Sequence, residues 1–163
     1  MFLETFDHTL DENSRVAIPS KWRRNDTVDK GATLVITKGF DTNLMLFTQP
    51  DWAKYVEARV QELAVGEDNV RHFLRFFVSG ASECVIDRSG RIMLPQGLIA
   101  YAKLTRDVVL NGSGFYGEIW DRVLWDRFLS ENDEKLKSYA KEFFKIPIQG
   151  KGYDNGSQGS THR

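Results

Sequence analysis

Apolar and polar positions along the chain fall into a pattern that occurs twice. Residues 10–19, LDENSRVAIP, and residues 86–95, IDRSGRIMLP, match at an offset of 76. Asp11/Asp87, Arg15/Arg91 and Pro19/Pro95 are identical, and each apolar position stays apolar. Further on, Leu34-Val35-Ile36 answers Val108-Val109-Leu110 at an offset of 74, and LFTQPDW (46–52) answers IWDRVLW (119–125) at 73. A drift of three residues is what changes in loop length produce, and three matches in one order point to a duplication.

Each copy has the same grammar. A short apolar segment meets a polar turn (11–14; 87–90), and a second apolar segment ends at proline. This is the pattern of a hairpin, with Ser89-Gly90 a suitable turn dipeptide. Proline ends the strand and suits a first helical turn, so short helices are predicted near Ser20 and Gln96. Paired strands are predicted at 33–37 with 43–48 and at 107–111 with 117–121. Each copy closes on an amphipathic helix, marked by Trp52, Tyr55, Val56, Val60 and Leu63 in the first and by Leu124, Trp125, Phe128 and Leu129 in the second. A connecting helix is predicted over 68–79, with Val70, Phe73, Leu74 and Phe77 on one face. Phe76 and Val78 lie off that face, which fits either a subunit contact or a helix buried on more than one side. Leu136, Tyr139, Ala140 and Phe143 carry a helical period over 133–145, and the Gly-, Ser- and polar-rich end is expected to be disordered. The organisation is then a first repeat (1–66), a connecting helix (67–80), a second repeat (81–130), a helical C-terminal segment (131–148) and a tail (149–163).

Composition narrows the class. At 163 residues, 41% hydrophobic and 28% charged, the chain is of globular type, long enough to bury a core of its own. Lys+Arg of 22 against Asp+Glu of 23 leaves a net charge of -1, so no global charge announces a polyanion partner. The single cysteine, Cys84, forms no internal disulfide and fits a reducing compartment. Glu4 and Asp7 stand where a signal peptide needs a basic and then apolar run, and no stretch approaches the length of a membrane span. A cytoplasmic location without a membrane partner is expected.

Little in the sequence points to catalysis. Gly112-Ser113-Gly114-Phe115-Tyr116-Gly117 matches GxGxxG, but a dinucleotide site needs a helix to open at the last glycine, and Glu118-Ile119-Trp120 reads as a strand. His8, His72 and His162 lack partners at metal-ligand spacing, and Cys84, beside Val85-Ile86, reads as a small buried apolar residue with no base near it. Hence no catalytic residue, metal, cofactor or small-molecule substrate is expected. The repeated Asp-x-x-x-Arg stands out. Either the aspartate and arginine staple a turn, or the aspartate directs a guanidinium outward to phosphate or to guanine O6/N7. Spacing alone leaves both open. Over 11–24 the cations Arg15, Lys21, Arg23 and Arg24 face only Asp11 and Glu12, and Arg71 and Arg75 flank His72.

DENSRVAIP and DRSGRIMLP resemble the D-x-x-G-R-apolar-x-apolar-P hairpin of AbrB-type transcription factors. Two tandem copies, with GASECVIDRSGRIMLPQGL, AYAKL, DVVLNGSG and EIWDRVLW, are similar to the MraZ family of bacterial transcriptional regulators. The resemblance spans residues 1 to about 130. It implies an α+β, β-rich fold: a swapped-hairpin AbrB-like barrel made from two tandem repeats with flanking helices. It also implies a homo-oligomer in a closed ring, located in the cytoplasm on the nucleoid. Such a ring binds double-stranded DNA at short direct repeats in the promoter of the division and cell-wall gene cluster. Carried over residue by residue, it implies the pairs Asp11–Arg15 and Asp87–Arg91, with the aspartates shaping the hairpins, and the basic pair Arg23-Arg24. With Lys21 of the local basic cluster and Arg88 of the second turn, the DNA-binding residues expected are Arg15, Arg91, Lys21, Arg23, Arg24 and Arg88. Two departures matter. Ser14 stands where the pattern has glycine, which means strain if φ there is positive. Leu98-Ile99 stands where the first repeat has Arg23-Arg24, so the halves are not equivalent. A structural ring or interaction module, and an AbrB-like antitoxin, are the alternatives.

Overall fold

The structure is a computed structural model that describes residues 1–24, 29–63 and 66–146. It divides into two units, Met1–Phe128 and the segment from Leu129 onward. In the first unit the first copy supplies β1 (Thr5–Thr9), β2 (Arg15–Ala17), a 3-10 turn (Trp22–Arg24), β3 (Thr33–Lys38) and β4 (Leu44–Thr48). A helical run follows as α1 (Gln49–Trp52), a π-helical turn (Ala53–Glu57) and α2 (Ala58–Glu62). The connecting helix is α3 (Asp68–Phe73), which runs into a second π-helical turn (Leu74–Val78). The second copy supplies β5 (Ser82–Val85), β6 (Arg91–Met93), α4 (Gln96–Tyr101), β7 (Asp107–Gly112), β8 (Gly117–Asp121) and the start of α5 (Arg122–Phe143).

The two copies exchange strands. A six-stranded antiparallel sheet has the order β1-β7-β8-β4-β3-β5, and β2 and β6 form a separate two-stranded ribbon. β1 of the first copy pairs with β7 of the second, as β5 of the second pairs with β3 of the first. The registers correspond as well: Thr9 lies opposite Asp107, and its counterpart Val85 lies opposite Thr33. β2 pairs with its own counterpart β6, and β4 with β8, which gives the chain an internal pseudo-two-fold relation. The strands flanking each polar turn therefore pair with the other copy and not with each other. Fold class and strand exchange are as the sequence resemblance implies. Among the described residues no ladder joins ribbon and sheet into one closed barrel.

Burial explains the exchange. Val16, Ile18, Leu34, Ile36, Ile86, Ile92, Leu94 and Leu110 are fully enclosed in one core that both copies build. Neither copy's apolar face would be covered alone. Alternate residues of β3 and β4 face a second cluster, where Val35, Met45 and Phe47 meet Trp52, Val56 and Phe77. A sheet covered on both faces accounts for the unbroken apolar run Leu44–Phe47. Phe76 and Val78 are partly buried against this second cluster, in which Phe77 is the one fully buried residue of the connecting helix, and Phe73 of the expected face is exposed.

Helix starts also correspond between the copies. Thr48 Oγ1 accepts the Asp51 N–H at the start of α1, and Asp121 Oδ1 accepts the Val123 N–H at the start of α5, 73 residues on. The closing helix of the second copy and the helical period over 133–145 form one continuous helix, α5, and no Gly or Pro interrupts the chain between them. In the second unit this helix, from Leu129, holds no buried residue. The tail expected to be disordered, 149–163, lies outside the described residues. Among those residues no helix is long and apolar enough to cross a membrane.

Candidate nucleic-acid interface

The ribbon is only three residues deep on each strand, yet its two faces differ sharply. Val16 and Ile92 lie opposite each other and are fully buried. Period-two alternation then turns Arg15, Ala17, Arg91 and Met93 outward, with Arg15 opposite Met93 and Ala17 opposite Arg91. The two arginine side chains are 44% and 48% exposed.

Each turn is tied in the same way. Asp11 Oδ1 accepts the N–H groups of Asn13 (2.8 Å) and Arg15 (2.9 Å), and Asp87 Oδ1 accepts those of Ser89 (2.8 Å) and Arg91 (3.0 Å). Backbone bonds from Asp11 N–H to the Arg15 carbonyl and from Asp87 N–H to the Arg91 carbonyl close both loops. Asp side chains suit this role because they bond their own backbone two residues on. The N–H of Arg15, opposed by a small cost of burial and helped by Asn13 and Arg91, holds the Asp11 carboxyl below its ordinary range.

With one carboxylate oxygen spent on its own turn, the other reaches across the ribbon. Arg91 Nη1 lies 3.1 Å from Asp11 Oδ2, and Arg15 Nε lies 3.9 Å from Asp87 Oδ2. The ion pairs are therefore Asp11–Arg91 and Asp87–Arg15, not the Asp11–Arg15 and Asp87–Arg91 pairs of the sequence motif. Antiparallel pairing of β2 with β6 brings each arginine beside the turn of the opposite copy.

Ser14 has φ +62° and Gly90 φ +77°, so the residue lacking glycine does adopt the left-handed conformation. Their carbonyls accept N–H groups from the opposite copy, Leu94 to Ser14 (2.8 Å) and Ile18 to Gly90 (2.9 Å). Beyond this frame the halves diverge. Arg23 is half-buried over the second turn, donates from Nε to the Ile18 carbonyl (2.9 Å), and packs so closely that a Cβ on Gly90 would sit 2.7 Å from its Cζ. Over the first turn Gln96 Nε2 donates to Ser14 Oγ instead. Lys21 is held 2.7 Å from Glu4. Arg88 is exposed at the second turn and forms no ion pair among the described residues. The Arg24 side chain lies outside the described residues.

The structure thus gathers Arg15, Arg91, Asp11 and Asp87 on one ribbon, sets Arg88 at its tip and Arg23 behind it, and ties Lys21 to the N-terminal segment. Sequence inspection missed Met93, 60% exposed on the ribbon's outer face, though the alternation in Arg91-Ile92-Met93 signals it. It also missed Gln96 and Glu4, whose roles depend on long-range contacts. A pair of planar guanidiniums on a narrow two-stranded ribbon suits bidentate contact with phosphate or guanine, and a ribbon of this width fits a major groove about 12 Å across.

Elsewhere the chemistry is sparse. Gly112 and Gly117 of the GxGxxG match flank the β7–β8 turn, and a Cβ on Gly112 would come within 2.5 Å of the Phe2 and Leu3 backbone. They serve close packing, as the strand at 118–120 predicts. Cys84 lies within β5, buried, and burial pushes its thiol up to about 11. An apolar cleft of about 250 Å³ opens beside Met45, Phe47, Val56 and Phe115, and among the described residues Arg59 is the one charged residue lining it.

A duplicated, strand-exchanged α+β unit of this kind is AbrB-like in class. The family model described as MraZ protein, and as antitoxin-like, matches residues 1–76 and again 77–145, once for each copy. A protein of Moorella thermoacetica named transcriptional regulator MraZ is 36% identical over 148 residues, 91% of this chain and 100% of its own length. Its namesake in Carboxydothermus hydrogenoformans is 38% identical over 142 residues, 87% of this chain and 96% of its own. The solution structure of PHS018 from Pyrococcus horikoshii covers 73% of this chain and 88% of its own at 13% identity, with a TM-score of 0.34 too low to argue from. The chain belongs to the MraZ family.

Proposed function

We propose that the chain is a sequence-specific, DNA-binding transcriptional regulator with no catalytic activity. The observation that carries the proposal is the outward pair Arg15 and Arg91, each held by the aspartate of the opposite turn. The names of its relatives as transcriptional regulators support the same role. Crosswise pairing restricts each guanidinium before DNA arrives, which lowers the ordering cost of a bidentate contact. In this proposal Arg15 and Arg91 meet the groove, Asp11 and Asp87 fix the turns, Arg88 meets phosphate, and Arg23, Arg24 and Lys21 support the basic rim.

A net charge of -1 makes one copy a weak binder, because phosphate neutralisation supplies most non-specific affinity. Several ribbons on a homo-oligomeric, ring-shaped assembly would engage successive direct repeats together and gain affinity through effective concentration. The target in this proposal is the promoter of the division and cell-wall gene cluster, on the nucleoid in the cytoplasm. Replacing Arg91 by alanine is expected to weaken binding to that promoter by about 1–3 kcal/mol in a gel-shift titration. Unchanged binding by a folded variant, or wild-type affinity indifferent to salt, refutes the proposal. Light scattering on the same sample reports the assembly.

A further inference from the structure

The two turns share one backbone frame, so their tip residues can be compared position for position. Glu12 in the first corresponds to Arg88 in the second at the offset of 76, and both are exposed. Their charges are opposite. The surroundings strengthen the contrast: Arg23 packs over the second turn, whereas its counterpart across the duplication, Ile99, is apolar and packed on the core. Lys21, two residues before Arg23, is held by Glu4 and adds no free charge to either turn. The second turn thus collects Arg88, Arg23 and, across the ribbon, the guanidinium of Arg15, while the first has the guanidinium of Arg91 and the carboxylate of Glu12.

Resting on the DNA-binding proposal, we infer that the ribbon is electrostatically polar. Arg88 brings the Asp87–Arg91 turn down onto the phosphate backbone, and Glu12 holds the Asp11–Arg15 turn away from it. The folded frame is pseudo-two-fold and would by itself accept a site in either direction. Inverting one exposed charge breaks that equivalence, because a carboxylate facing phosphate is repelled where a guanidinium releases counterions. Each copy then sits on a DNA repeat in one orientation only, and Glu12 and Arg88 are the residues that set it.

Orientation can be read directly. Cys84 is buried and its thiol is protonated at neutral pH, so an Asn13→Cys variant of the full chain carries one reactive thiol, at the first turn. A tethered iron chelate there cuts DNA near that turn. The probe is a duplex taken from upstream of the chain's own gene. Cleavage on one side of each repeat is expected, and on the other side when Glu12→Arg and Arg88→Glu are combined. Arg88→Ser should weaken binding several-fold and flatten the plot of log affinity against log salt by about 0.9, the slope of one lost phosphate contact. Glu12→Ser should tighten binding and leave that loss unrepeated. Equal cleavage on both sides, or a pattern that the charge exchange leaves in place, overturns the inference. Failure of the unmodified chain to retain the duplex at low salt overturns the DNA-binding proposal beneath it.

Discussion

Alanine at Gly90 tests the geometry of the ribbon most directly. Gly90 holds φ +77°, and a Cβ there would sit 2.7 Å from both Cζ and Nη1 of Arg23. The left-handed conformation costs an alanine roughly 1–2 kcal/mol. Displacing the guanidinium breaks its bond to the Ile18 carbonyl, a further loss of about 0.5–1.5 kcal/mol. Reduced freedom of the unfolded chain returns about 0.4–1 kcal/mol. The net destabilisation is therefore about 0.5–3 kcal/mol. For a chain of this size each 1 kcal/mol moves the melting midpoint by about 2–4 °C. Calorimetry should show a drop of several degrees for Gly90→Ala. In an Arg23→Ala background the same change should cost less, because the contact is already gone. The reverse exchange, Ser14→Gly, relieves strain but gives up the Gln96 bond and frees the unfolded chain, so its midpoint should stay near wild type. An unshifted Gly90→Ala midpoint, or an equal cost with and without Arg23, refutes this account.

Two other outcomes follow from buried groups. Asp121 is buried, which raises its pKa, but bonds from the Thr105 hydroxyl and N–H and from the N–H groups opening α5 outweigh this and hold the carboxyl below its ordinary range. Asp121→Ala should cost about 2–4 kcal/mol in urea unfolding, from the lost helix cap and the unsatisfied Thr105 groups. Since the folded pKa is depressed, the ionised carboxylate stabilises fully above its ordinary value, and the gap to an Asp121→Asn variant should close as pH falls through the folded value; a gap that widens on acidification contradicts this. Cys84, with a thiol near 11, is about one part in a thousand thiolate at pH 8, so Ellman's reagent should react slowly with the native chain and fully in urea. Rapid native labelling would mean that β5 opens readily.

The boundaries of the paired strands were legible in the sequence because turns and alternation are local properties. The strands expected at 33–37, 43–48, 107–111 and 117–121 match β3, β4, β7 and β8 to within a residue or so. Left-handed strain at Ser14 and the structural use of Gly112 and Gly117 were legible for the same reason: backbone preference belongs to the residue and its turn. The continuity of α5 was less so, because a polar interval in an amphipathic pattern looks like a helix end when its caps are not visible.

The amino-acid order alone determined that the chain holds two copies of one unit, where each turn falls and which face of each strand is apolar. Tertiary structure decided which strand pairs with which. Burial is non-directional, and alternation fixes a face but not a partner, so β1 could be assigned to β7 only once both copies closed a common core. That choice decided everything finer at the ribbon. It crossed Asp11 to Arg91 and Asp87 to Arg15, laid Arg23 over Gly90, and turned a repeated five-residue motif into one surface with two unlike ends.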